Sequence, residues 1–380
     1  MDVMVLIDSF KGSMTSMEAG NAARDGVLRV YPHANVTVRP LADGGEGTTD
    51  ALIEGLGGRK VELSVTGPMG KRVEAYYGIL ADEKTAVMEM AQAAGITLVE
   101  KAQRNPGKAT TYGVGEMIRD AVSRGCRKFI IGIGGSATND GGIGMLRALG
   151  VKFLTKDGEE AGEGADALGK IHFVSLEHLM PELKECDFQI ACDVTNPLCG
   201  KDGATYTFGR QKGATPEIQN DLEAGMCNYR DIIKEQFDLD MDNIPGSGAA
   251  GGLGTALMVF LNGTLKSGIE TVLDLVDFDE HLKDVDIVVT GEGATDWQSV
   301  FGKVMQGVGV HCKKRHIPAV AIVGSMGSGA EDIFDYGIES IITTVNNIML
   351  LSDALNHAEE LYLGAARRMF RLLKAGMQMR

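Results

Sequence analysis

Six times along this chain a short aliphatic or β-branched run breaks into a loop of glycines, acids and small hydroxyl residues. Residues 3–7 lead to Asp8-Ser9-Phe10-Lys11-Gly12-Ser13, and 36–38 lead to ADGGEGT at 42–48. Residues 129–133 lead to GGSATNDGG at 134–142, and 188–191 lead to Asp193 and Asn196. Residues 285–289 lead to TGEGATD at 290–296, and 319–323 lead to GSMGSG at 324–329. A further strand is expected over 340–343. Helical patterns fall between the runs. Thr15-Ser16-Met17-Glu18 has the form of a capping box, and Ala19, Ala22, Ala23, Val27 and Val30 follow with helical spacing. A closing helix is expected from about Asp353 to Lys374, its Arg367, Arg368, Arg371 and Lys374 suiting the helix dipole and a solvated face. Alternation of this kind implies an α/β fold with largely parallel sheet. Ligands in such sheets sit at the carboxyl ends of the strands. Six loops of one character at those ends point to a shared site for an anionic ligand.

Composition narrows the ligand. The chain holds 51 glycines in 380 residues, roughly twice the usual share of about 7%, and they cluster in these loops. A net charge of −15 argues against nucleic acid as a partner, because neutralising a phosphate backbone needs a basic face. An enzyme of anionic substrates must then gather its few lysines locally. Six cysteines, at 126, 186, 192, 199, 227 and 312, form no C-x-x-C pair, and free thiols in a reducing compartment are expected. The chain enters a strand-like run without a basic leader, and no apolar run approaches the ~20 residues that span a membrane. A cytoplasmic protein is expected. A homodimer is allowed by the sequence and not required by it.

Two nucleotide motifs nearly match. Gly164-Ala-Asp-Ala-Leu-Gly169-Lys170 has P-loop spacing, but Ile171 replaces the magnesium-holding Ser or Thr and no clear strand precedes it. Gly132-Ile-Gly134-Gly-Ser-Ala137 has dinucleotide-site spacing after an expected strand, which keeps an NAD-dependent hydroxy-acid oxidoreductase as the alternative enzyme. The polar continuation Thr138-Asn139-Asp140-Gly141-Gly142 favours an anion cradle instead. There Gly135 and its neighbours expose backbone N–H groups, Ser136, Thr138 and Asn139 add donors, and a following helix offers its N-terminus. Asp140 is read either as an N-cap or as a metal or hydroxyl partner.

Asp43 and Glu46 are expected to bind magnesium through water or to orient a substrate hydroxyl, and helix capping is the plainer alternative. Glu292 and Asp296 form a second acidic pair, followed by Ser299. Asp193, at a strand end, suits a general base for a hydroxyl nucleophile, with turn capping as the alternative. Lys11 and Lys212 are the cations set among small loop residues, able to neutralise a transferring phosphoryl group or grip a carboxylate. The run from Gly246 to Gly254 marks either tight packing or close approach to a ligand.

These segments together resemble one family, the bacterial-type glycerate kinases that lack a Walker motif. The matching stretches are DSFKGS (8–13), ADGGEGT (42–48), GIGGSATNDGG (132–142), ACDVTNPLCG (191–200), QKGA (211–214), GAAGG (248–252), TGEG (290–293) and QS (298–299) with Gly302-Lys303. They occur in family order along nearly the whole chain. The resemblance implies two domains: a Rossmann-like parallel-sheet domain from 1–62 plus 286–380, and an inserted α/β domain over 63–285. The active site is then expected in the interdomain cleft. It implies ATP and Mg2+ as cofactors and phosphorylation of D-glycerate, at the 2-hydroxyl.

Carried over by position, the matched polar residues are Asp8, Ser9, Lys11, Asp43, Glu46, Ser136, Asn139, Asp140, Asp193, Asn196, Gln211, Lys212, Glu292, Asp296 and Ser299. The roles are read from the residues themselves: Asp193, Lys11 and Lys212 are expected to be catalytic, Asp43, Glu46 and Glu292 to hold the metal, and the others, with Gly135 and Thr138 of the cradle, to bind substrate or ATP. Ile7 and Arg210 stand where the family often has Pro, and Ala294 where it usually has Arg. That lost arginine leaves a third reading, a hydroxy-acid sensor without turnover.

Overall fold

The computed structural model describes residues 1–300 and 303–379, so Gly302 of the family motif lies outside the described residues. The chain divides into two compact units. A terminal unit takes residues 1–43, 50–57 and 268–380, and a central unit takes 44–49 and 58–267. Each has its own apolar core.

The terminal unit is built on a five-stranded parallel sheet. Its spatial order is Ile338–Thr343, Ala319–Val323, Ile287–Gly291, Asp2–Ile7, Asn35–Pro40. Numbered along the unit, that is the doubly wound order 2-1-3-4-5 read from the Asn35–Pro40 edge, with its switch point between Asp2–Ile7 and Ile287–Gly291. Ile287–Gly291 and Ala319–Val323 are buried at every residue, as strands covered on both faces must be.

Helix Ser16–Leu28 starts where expected. Thr15 Oγ1 accepts from the Glu18 N–H at 3.1 Å, and the Glu18 carboxylate accepts from the Thr15 N–H at 2.8 Å. The closing helix is broken at His357 into Leu351–Asn356 and Ala358–Met377. Arg368, midway along Ala358–Met377, donates to the carbonyl oxygen of Thr343 at 3.0 Å, closing the end of a strand.

The central unit holds a six-stranded mixed sheet in the order Thr264–Lys266, Asp187–Ala191, Lys128–Gly132, Thr85–Glu89, Arg72–Leu80, Gly58–Thr66. The first four strands run parallel, and the last two form an antiparallel hairpin on Thr85–Glu89. Among the described residues no helix is long and apolar enough to cross a membrane.

Candidate active site

In the terminal unit the strand ends at the switch point converge. Asp8 follows Asp2–Ile7, and its N–H donates to the Gly291 carbonyl at 2.9 Å, which sets it beside Glu292. Ser16 Oγ donates to the Ile7 carbonyl at 2.7 Å and accepts from the Leu41 N–H at 3.0 Å, so the turn carrying Asp43 is tied to the same point. Asp8 therefore sits in a field of carboxylates. Burial, Asp43 and Glu292 push its pKa up to about 7, against the Ser9 N–H and Lys11, which pull the other way. The Ser9 N–H lies 2.7 Å from the Asp8 carboxylate.

Glu292 is buried, and Ser299 Oγ donates to it at 2.5 Å. Burial raises its pKa, opposed by Ser299, Thr295 and Lys303. Ser299 Oγ in turn accepts from the Asp296 N–H at 3.3 Å. Thus Asp8, Ser9, Asp43 and Glu292 are brought together, with Lys11 exposed on the turn beside them, Ser299 bonded to Glu292, and Asp296 adding its charge next to Glu292. Ala294 lies on a short strand paired with Ser325–Met326.

The central unit presents its loops at the carboxyl ends of its parallel strands. ADGGEGT is held there by a residue the sequence reading did not single out. The buried carboxylate of Glu89 accepts from the N–H groups of Gly47 and Thr49, at 3.3 and 2.9 Å. Glu46 is exposed on that loop. Asp43 and Glu292 of the expected metal set therefore share the Asp8 cluster, whereas Glu46 belongs to the central unit.

In the loop 134–142, Gly135 is left-handed and exposed, with its carbonyl accepting from the Ile96 N–H at 2.8 Å. Ser136 is buried and bridges Gly95. Asn139 donates to Thr205 Oγ1 at 3.1 Å. Among the described residues, Thr138 Oγ1 and Asn139 Oδ1 are buried without a hydrogen-bond partner.

Asp140 is fully buried and accepts from the Thr111 N–H and Oγ1 and from the N–H groups of Gly142 and Gly144, all within 3.2 Å. The N-cap of the following helix is Gly142 rather than Asp140, whose carboxylate ties the loop to Thr111 and to the start of that helix. This also corrects the idea that the following helix offers its N-terminus to an anion: Ile143–Ala148 is only six residues long, and its first donors already serve Asp140. The same short, late helix does not continue the dinucleotide-like spacing at 132–137. The P-loop-like segment forms a 3-10 turn, Ala165–Lys170.

Lys212 enters this loop from the side. It is 2% exposed and donates to the Thr138 carbonyl at 2.6 Å. Burial pulls its pKa down to about 7, with Asp140 opposing. Neighbouring Gln211 is exposed, its carbonyl accepting from Arg104 at 3.2 Å. Asp193 is exposed just past Asp187–Ala191, and Asn196 donates to the Asp202 carbonyl at 2.8 Å. The glycine run from Gly246 resolves as tight packing. Gly251, at φ +70°, donates no side chain and needs none, since a Cβ there would lie 2.2 Å from the Thr138 carbonyl oxygen. Its own carbonyl accepts from the Gly141 N–H at 2.9 Å.

The chain that carries these two sets is similar to known proteins over nearly its whole length. The model of the Glycerate kinase family matches residues 3–374. A glycerate kinase of Halalkalibacterium halodurans is 43% identical over 365 residues, covering 96% of each chain. A glycerate 2-kinase of Escherichia coli is 41% identical over 378 residues, covering 100% of this chain and 99% of its own. A crystal structure of a protein described as glycerate kinase 2 from Salmonella typhimurium LT2 superposes with a TM-score of 0.92 at 41% identity, covering 100% of this chain and 99% of that one. The chain belongs to the glycerate kinase family.

Proposed function

We propose that the protein transfers the γ-phosphoryl group of MgATP to the 2-hydroxyl of D-glycerate, giving 2-phosphoglycerate and ADP. The observation that carries this reading is the carboxylate cluster of Asp8, Asp43 and Glu292 at the switch point of a doubly wound sheet, where open α/β sheets take their ligands. Family membership and the glycerate 2-kinase relative support the substrate and the position of transfer.

The donor set fits magnesium. It is made of hard carboxylate oxygens, and a divalent cation relieves the repulsion that pushes Asp8 up. Asp43 and Glu292 would hold it, with Glu46 as the third expected ligand. When bound, it neutralises charge on the phosphate oxygens.

The chain's own groups do the rest. Lys11 offers an exposed cation to phosphate oxygens. Ser9, Gly135 and Ser136 supply donors at strand ends. Lys212, Asn196 and Gln211 are the candidates for gripping the glycerate carboxylate. In the transfer, the substrate oxygen bonds to the γ-phosphorus, the bond to the β,γ-bridging oxygen breaks, and Asp193 takes the hydroxyl proton. The six free thiols support a reducing, cytoplasmic setting.

The test is ADP release with MgATP and D-glycerate, with 2- and 3-phosphoglycerate resolved and wild type compared with Asp193→Asn. Turnover to 2-phosphoglycerate is expected, with kcat reduced by about 10²–10⁴ in the variant. An unchanged variant removes Asp193 from proton transfer. Folded wild type that turns over no glycerate overturns the substrate.

A further inference from the structure

Apart from the residues assigned above, the central unit gathers a second and chemically different set of ligands. Glu223 and Cys227 lie four residues apart on helix Pro216–Phe237, and hence on one face of it. Cys199 meets them from the loop after strand Asp187–Ala191. One ligand atom from each of the three lies within 4.8 Å of the other two. Cys199 is 6% exposed and Glu223 8%. Glu223 Oε1 accepts from the Gly200 N–H at 2.6 Å and stands 3.8 Å from Cys227 Sγ. Its second oxygen, Oε2, is buried and has no hydrogen-bond partner among the described residues. A buried carboxylate oxygen left unpaired is costly unless something binds it.

We infer that Cys199, Cys227 and Glu223 form a binding site for a thiophilic divalent cation of the zinc class. Two thiolates and a carboxylate select such an ion over magnesium or calcium, which take oxygen ligands. Tetrahedral zinc, with Zn–S of about 2.3 Å and Zn–O of about 2.0–2.2 Å, needs sulfur atoms about 3.8 Å apart and sulfur–oxygen separations of about 3.5 Å. The three ligand atoms lie within 4.8 Å of one another, so no separation exceeds that spacing by more than about 1.3 Å. Glu223 can give Oε2 to the ion while Oε1 keeps its bond to Gly200, and water completes the coordination. Binding displaces the two thiol protons to solvent.

The ion would clamp a loop whose other anchor is Asp242, which accepts from the Cys199 N–H at 3.2 Å and from Arg230 at 2.8 Å. That loop is continuous with Asp193 and Asn196, so occupancy fixes the segment carrying them. The inference stands on the central unit alone and does not depend on the phosphoryl-transfer reading.

The test is titration of the reduced full-length chain with Cd2+ alone, following the thiolate-to-cadmium charge-transfer band. One ion per chain is expected, together with a rise in Tm. The band should be lost in the double variant Cys199→Ser, Cys227→Ser and weakened at least tenfold in affinity in Glu223→Gln. No band in folded wild type, or a band undiminished in the double variant, overturns the site. Should the double variant fail to fold, alkylation of wild type read by mass spectrometry decides. Cd2+ protection confined to Cys199 and Cys227 supports the site, and equal labelling with and without Cd2+ overturns it.

Discussion

Lys212 carries an ammonium group into a place where water does not follow, and it donates there to a neutral carbonyl. Burial lowers its pKa from 10.5 to about 7. The unfolded chain keeps this lysine protonated up to its ordinary value, so the fold loses stability as pH falls from that value through about 7. A buried cation so poorly compensated is a stability cost of the kind that active sites retain. Lys212→Met is therefore expected to raise Tm, by more at pH 7 than at pH 9, while lowering kcat/KM by about a hundredfold or more. Calorimetry at the two pH values with steady-state kinetics checks this. A variant that is active but less stable at both would make Lys212 a structural staple. Asp8 runs with the opposite sign. Burial, Asp43 and Glu292 raise it from 3.8 to about 7, so its contribution is present below the unfolded value and is lost as pH rises through about 7. Metal-free wild type should lose Tm between about pH 4 and 7 on this account, and Asp8→Asn should flatten that slope. Mg2+ should stabilise wild type at pH 7.5 and the variant less, a comparison made by melting with EDTA and with Mg2+. Equal magnesium shifts in both would detach Asp8 from the metal.

At the scale of elements, the clearest constraint is where helix Ser16–Leu28 crosses the closing helix Ala358–Met377. A Cβ on Gly26 would lie 2.6 Å from Ala366 Cβ and 2.7 Å from the Leu363 carbonyl oxygen. Both are rigid parts of a helix, so the helices must separate to admit it. Gly26→Ala should cost about 1–3 kcal/mol of stability, read as a lower urea midpoint with an unchanged slope, and KM should not move. A stable Gly26→Ala would show that the crossing can slide. The helix itself was readable, because the capping box and the alanine-rich stripe are local signals and Thr15 and Glu18 bond as their spacing implies. So were the three central strands of the terminal sheet, Asp2–Ile7, Ile287–Gly291 and Ala319–Val323, largely aliphatic runs buried at nearly every residue. The hairpin Gly58–Thr66 with Arg72–Leu80 was not readable in that way. Arg59, Lys60 and Glu62 interleave its apolar residues, and one face stays exposed. Nor was the role of Glu89, which holds a loop some forty residues earlier in the chain, or that of Thr111 in capturing Asp140. The glycine-and-acid loops mark where a site lies. Which acids are spent on holding the loops, as Asp140 is, depends on pairings between distant segments that no local pattern contains.

At the scale of the whole molecule, a net charge of −15 opposes an anionic substrate. Local cations could reverse that field, but the candidates are few. Lys212 has its pKa drawn down to about 7, so near neutral pH it is protonated only in part. Lys11 is exposed to solvent and faces the Asp8 carboxylate cluster. The global field should therefore dominate the encounter with glycerate. The Debye length falls from about 30 Å at 0.01 M salt to about 8 Å at 0.15 M, so added salt screens long-range repulsion before it weakens contacts inside the site. With MgATP saturating and free magnesium fixed, the KM for D-glycerate is expected to fall roughly two- to fourfold across that range, with kcat unchanged. The measurement is a glycerate titration at each KCl concentration. A KM that rises with salt would mean that attraction by local cations outweighs the net charge. The charge-removing substitution Lys11→Gln should then remove the rise, which would make Lys11, rather than the overall field, the group that brings the substrate in.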